Sequence, residues 1–68
     1  MIRVQLNGKE REIPPGLTVR GLLELLELQP GMVVVERNRE ILSRSQFGDV
    51  RVEAGDRLEL VHFVGGGA

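Results

Sequence analysis

The residues with a chemical use of their own stand at the C-terminus, where Gly65-Gly66-Gly67-Ala68 follows the apolar run from Leu58 to Val64. Glycine loses the most conformational freedom on ordering, so three in succession at a terminus are expected to stay mobile until something binds them. What such an end gains is access. A backbone without side chains can slide into a channel too narrow for any other residue and present its carboxylate for activation there. A frayed end or an appended scar would look the same from these four residues alone.

No other residues compete for chemistry. The 68-residue chain has no cysteine and one histidine, His62, and it lacks paired histidines at metal-binding spacing and any phosphate-binding glycine loop. No bound cofactor or metal is expected. Alternation along the last strand puts His62 on the core side near the strand end, where a lone histidine reads as a rim residue bonded to backbone and not as a catalyst. Nine Lys/Arg against ten Asp/Glu, with no Tyr or Trp and only Phe47 and Phe63 as aromatics, argue against a nucleic-acid surface. Arg37, Arg39 and Arg44 read as a solvated loop ahead of a contact for an acidic partner, and Glu36 and Glu40 carry no stronger signal. Met1 to Gln5 is neither a signal peptide nor a membrane span. With the absence of cysteine this gives the cytoplasm as the expected location.

The tail must be presented by one small domain, expected over residues 1–64 with residues 65–68 as a flexible extension. Ile2, Val4 and Leu6 alternate with Arg3 and Gln5, which predicts a half-buried strand. Asn7-Gly8 then turns the chain into a second strand, Lys9 to Ile13, that Pro14-Pro15-Gly16 ends. Thr18 is a helix N-cap, with Leu17 and Leu22 at the spacing of a hydrophobic staple. Val19, Leu22, Leu23 and Leu26 share one face of a helix expected to reach about Leu28, where Pro30-Gly31 would stop it. Gly21, inside that helix, suggests close approach to a sheet.

Met32 to Arg37 is β-branched and unbroken, a strand expected to be covered on both faces. After the turn at Asn38-Arg39-Glu40 come a short strand at Ile41-Leu42 and a helical turn at Ser43 to Gln46 that carries Phe47 inward. An extended piece at Val50 to Val52 and a last strand from Arg57 to Val64 complete the chain. The sum is an α+β roll: a mixed sheet under one main helix, with the first and last strands central and parallel. The expected core is Ile2, Val4, Leu6, Val19, Leu22, Leu23, Leu26, Phe47, Leu58 and Leu60. With Leu58 and Leu60 inward, Val61 and Phe63 face the other side of the sheet, joined by Met32 or Val34. This gives an apolar partner-binding surface beside the tail, unless a twist or bulge returns Phe63 to the core.

This order of elements, the segment Val35-Glu36-Arg37-Asn38-Arg39-Glu40-Ile41, the Ser45-Gln46-Phe47 and Gly55-Asp56 turns, and Val61-His62-Phe63-Val64-Gly65-Gly66-Gly67 resemble the ThiS family over the whole chain. That family comprises the sulfur carriers of thiamine thiazole synthesis. The resemblance implies a β-grasp fold like that of ubiquitin and a carrier that is not itself an enzyme. A ubiquitin-activation-type adenylyltransferase (ThiF-like), supplying ATP and magnesium, would adenylate the terminal glycine. A sulfur donor such as a cysteine desulfurase would convert it to a thiocarboxylate, and thiazole synthase (ThiG-like) would consume the sulfur. Gly66 and Gly67 align with the family's terminal pair, so Gly67 would be the carrier residue after removal of Ala68. Ala68 departs from the pattern, and its direct use or its being an added residue stays open. So does a carrier role toward molybdopterin, a tungsten cofactor or an amino acid, a ubiquitin-like protein modifier, or a plain interaction domain.

Overall fold

The computed structural model describes residues 1–63. Val64, the expected end of the last strand, and the tail residues Gly65 to Ala68 lie outside the described residues. Strands β1 (Ile2–Leu6) and β2 (Lys9–Ile13) form the antiparallel hairpin that Asn7-Gly8 predicts, with Ile2 opposite Ile13 and Leu6 opposite Lys9. Asn7 at φ 50° and Gly8 at φ 82° supply the two positive angles of a turn whose twist matches that of the strands. The Asn7 side chain has a further task. Its Oδ1 accepts from the Leu60 amide at 2.7 Å and its Nδ2 donates to the Leu60 carbonyl at 3.3 Å, which continues the sheet where β1 turns away.

Helix α1 (Val19–Leu25) starts as expected, with Thr18 Oγ1 accepting from the Gly21 amide at 3.1 Å, and it buries Val19, Leu22 and Leu23. It stops three residues short of Leu28. The Leu28 amide bonds back to the Leu23 carbonyl and the Glu27 amide to that of Glu24, while Glu27 takes φ 61°. These are the two bonds and the left-handed residue of a Schellman stop, a place where glycine is usual and glutamate is not. Pro30-Gly31 therefore does not end the helix; it opens a 3-10 turn, Pro30–Met32, so β3 begins at Val33. Gly21 does not mark contact with the sheet either. A Cβ there would meet Leu17 Cδ2 at 3.3 Å and Thr18 Oγ1 at 3.5 Å, so the crowding comes from the staple and cap residues.

Strands β3 (Val33–Arg37) and β4 (Glu40–Leu42) form a second hairpin, turned by Asn38 and Arg39 at φ 50° and 70°. The Ser43–Gln46 capping box closes a 3-10 turn, with the Ser43 amide donating to Gln46 Oε1 at 2.9 Å, and Phe47 enters the core. Strand β5 (Arg57–His62) runs between β1, to which it is parallel, and β3, to which it is antiparallel, in the order β2-β1-β5-β3-β4. This mixed five-stranded sheet under one helix is a β-grasp roll. Residues 50–52 contribute no sheet strand. They make an isolated bridge from Arg51 to Thr18 and backbone bonds from Val19 to Val50 and from Val52 to Leu17, which fasten the helix start.

Six of the ten expected core residues are buried: Val4, Val19, Leu22, Leu23, Phe47 and Leu58. Ile2, Leu6, Leu26 and Leu60 pack half-buried at its margin, while Ile13, Val33, Val35 and Val52 complete the interior. The apolar run of β3 is covered on one face only, because Val33 and Val35 turn inward and Val34 outward.

Candidate functional site

Period-two alternation decides which residues the sheet shows to solvent. On β5, Leu58 and Leu60 face the helix, so Glu59 and Val61 face away. Val61 lies directly opposite Val34 of β3, and the Phe63 amide donates to the Met32 carbonyl at 2.8 Å, extending the pairing one step beyond β5. Val34, Val61 and Phe63 are 39%, 53% and 54% exposed, and Met32 beside them is half-buried. The sheet thus brings the three expected surface residues together, and Phe63 does not return to the core. Gly65, Gly66 and Gly67 fall outside the described residues.

One apolar neighbour escaped the sequence reading. Ile41 of β4 is 72% exposed and pairs with Glu36, which shares the outward face with Val34. The signal for it is the hairpin register: Ile41-Leu42 reads as a strand, and only its pairing with β3 fixes which face Ile41 occupies. Glu36 in turn lies opposite Glu59, so two like charges sit side by side next to the apolar residues. His62 occupies the helix side, as its parity requires, but is exposed at the rim.

At the other end of β5 the charged loop has a structural use. Asp56 is buried and accepts from Arg37 Nε at 2.8 Å, from Asn38 Nδ2 at 3.1 Å and from the Glu53 amide at 2.8 Å. Asn38 Oδ1 accepts in addition from the Arg57 amide at 2.9 Å. Burial pushes the Asp56 carboxyl up, but the Glu53 amide, Arg37 and Asn38 outweigh it and hold the pKa below the ordinary aspartate value. Arg37 is therefore neither a solvated loop residue nor free for an acidic partner; it locks the β3–β4 turn to the start of β5. Arg39 and Arg44 are exposed. Among the described residues no group of three or more His, Cys, Asp or Glu could hold a metal ion, and no helix is long and apolar enough to cross a membrane.

The Glu-Arg-Asn segment and the Gly-Asp turn are thus two halves of one contact, which ties the residues carrying the family resemblance to the fold. The ThiS family pattern matches residues 4–67. The chain belongs to the ThiS family. It is 40% identical over 65 residues to the sulfur carrier protein ThiS of Bacillus subtilis, covering 94% of this chain and 98% of that one. It is also similar to two proteins named thiazole synthase, at 41% identity over 66 residues in Magnetococcus marinus and 42% over 67 in Paramagnetospirillum magneticum. The matched region is 97% and 98% of this chain but only 20% and 21% of those two. The crystal structure of the thiamine biosynthesis protein ThiS from Geobacter metallireducens superposes with a TM-score of 0.81 at 36% identity, covering 97% of this chain and all of that one. A solution structure of a thiamine biosynthesis protein from the same organism gives 0.80, covering 98% and 90%. The ThiS neighbours share the β-grasp architecture described above.

Proposed function

We propose that this chain is a cytoplasmic sulfur carrier whose C-terminal glycine is adenylated, converted to a thiocarboxylate, and used as sulfur donor for the thiazole ring of thiamine. Family membership supports the carrier role, and the observation that carries it at the level of geometry is the exposed Val34, Val61 and Phe63 surface at the end of β5 that leads into the glycines. A carboxylate is a poor electrophile because its oxygen leaves badly. Attack of that oxygen on the α-phosphorus of ATP expels pyrophosphate and leaves an acyl-adenylate, from which a sulfur nucleophile displaces AMP. The nucleotide, the magnesium and the catalytic groups belong to a ThiF-like activating enzyme. The carrier contributes a reachable carboxyl group and a docking face.

Val34, Val61 and Phe63 form that face in this reading, with Gly65 and Gly66 threading a narrow channel and Gly67 bearing the sulfur. Ala68 must first be removed, because while it is attached Gly67 has a peptide carbonyl and no free carboxylate. A thiazole synthase (ThiG-like) would consume the sulfur; the two relatives of that name contain a region similar to this whole chain, which supports the pairing. A cysteine desulfurase is the proposed sulfur source: the outer sulfur of its persulfide displaces AMP to give an acyl disulfide, and a thiol then cleaves the S–S bond, releasing the thiocarboxylate as the thiol is oxidised to a disulfide.

The test compares chains ending at Ala68, Gly67 and Gly66, each incubated with purified activating enzyme, ATP, magnesium and a sulfur source and read by intact mass. The chain ending at Gly67 should accept AMP and then exchange oxygen for sulfur. The chain ending at Gly66 should react poorly, since near-attack geometry tolerates errors of only about 1 Å. Efficient modification of Ala68 itself would overturn the trimming step and keep the carrier role. No modification of any of the three would sink the carrier reading.

A further inference from the structure

The helix side of the sheet carries a second open surface, at the same end of β5 as the apolar face but on the opposite side. It is a groove of about 460 Å³ between the β1–β2 hairpin and the end of α1. Half-buried Leu6, Leu26, Leu28 and Leu60 supply its apolar lining. Lys9, Arg11 and His62 line it as well, and among the described residues no acidic side chain does.

Alternation in β2 produces this charge separation. Lys9 and Arg11 pair with Leu6 and Val4 and so share the helix side of the strand, whereas Glu10 and Glu12 pair with Gln5 and Arg3 on the outer side. Glu12 is engaged there by Arg3 at 3.4 Å. Among the described residues neither Lys9 nor Arg11 has an ion-pair partner. Arg39, Arg44, Arg51 and Arg57 also lack an ion pair among the described residues; what sets Lys9 and Arg11 apart is that both stand over a leucine-lined groove. Long basic side chains at the edge of apolar surface favour an occupant that offers carboxylates at the rim and hydrocarbon to the floor.

We propose that this groove docks an acidic, leucine-bearing peptide segment of a protein partner. Its carboxylates meet Lys9 and Arg11, and a leucine-sized side chain rests among Leu6, Leu26, Leu28 and Leu60. Because the groove and the Val34–Val61–Phe63 face lie on opposite sides of the sheet, one partner can hold the groove while another occupies the outer face.

The experiment titrates the isotope-labelled full chain with the blocked peptide Asp-Leu-Glu-Leu-Asp and follows amide shifts by NMR, with the Asn/Gln isostere of that peptide as control. Shifts should concentrate at Leu6, Lys9, Arg11, Leu26, Leu28, Leu60 and His62, weaken with added salt, and nearly vanish for the isostere. Lys9→Gln/Arg11→Gln should keep the dispersed spectrum of the folded chain and bind about tenfold more weakly, as expected for two lost exposed ion pairs. Lys9→Glu/Arg11→Glu should bind weaker still.

Four results would overturn the proposal. One is the absence of localised shifts, and another is equal binding of the isostere. A third is a response centred on Val34, Val61 and Phe63. The last is binding that appears only after residues 65–68 are deleted, which would make the chain's own tail the occupant.

Discussion

The Asp56 carboxylate accepts from three donors, Arg37 and Asn38 at the β3–β4 turn and the amide of Glu53 in its own turn. Its folded pKa lies below the unfolded value of about 3.9. The stability it contributes is therefore fully present above that value and is lost as the pH falls through the folded pKa. Thermal unfolding followed from pH 7 downward should show an acid limb beginning below about pH 4, and Asp56→Asn should flatten that limb. Asp56→Ala leaves Arg37 and the Glu53 amide without their acceptor and should cost about 3 kcal/mol at neutral pH in denaturant unfolding. An unchanged midpoint would mean that water replaces the carboxylate without loss. Gly55-Asp56 was legible as a turn and Asn38 as part of another. Their meeting was not, because Arg37 and Asp56 are 19 residues apart and come together only once β3 pairs with β5.

The elements were legible where the pattern is local. Asn7-Gly8, the Thr18 cap and the alternation of β1 and β5 each specify their conformation within a few residues. The end of α1 was not, since Glu27 in a left-handed conformation carries no glycine signature and the apolar spacing runs on through Leu26 and Leu28. The piece from Val50 to Val52 alternates like a strand, yet its backbone bonds go to the helix entry at Leu17 and Val19 and to no strand of the sheet. Leu23 tests the helix-to-sheet packing. It is fully buried, so Leu23→Ala should destabilise by about 2 to 5 kcal/mol, a large part of the roughly 3 to 10 kcal/mol expected for a domain of this length. The opposed Glu36 and Glu59 test the outer face of the sheet. Like charges directly across a strand pair repel, so Glu59→Gln should raise stability by about 0.2 to 1 kcal/mol, a gain that shrinks with added salt. A loss of stability would mean that Glu59 has a favourable partner on that face.

Across the whole molecule, one helix covers one face of a five-stranded sheet, and the hydrophobic interior lies between them. The opposite face has no covering element among the described residues and carries Val34, Ile41, Val61 and Phe63 in the open. That asymmetry was readable from the count of one helix against one sheet, and it separates the residues that hold the fold from those available to a partner. Phe63 lies on the available side, more than half exposed, with its amide tied to Met32 while its side chain contributes nothing to the buried interior. Phe63→Glu should therefore leave the circular dichroism spectrum and the unfolding midpoint close to those of the parent chain, surface changes of this kind being worth about 0.5 kcal/mol or less. In the docking proposed above, binding to the activating enzyme should weaken sharply, because the substitution would remove an aromatic anchor and place a desolvated carboxylate in the contact. Isothermal titration against the purified enzyme, with Ile41→Glu measured alongside, maps how far the contact extends toward β4. Loss of the folded spectrum would return Phe63 to the core, and unchanged binding by a folded Phe63→Glu would move the interface off this face.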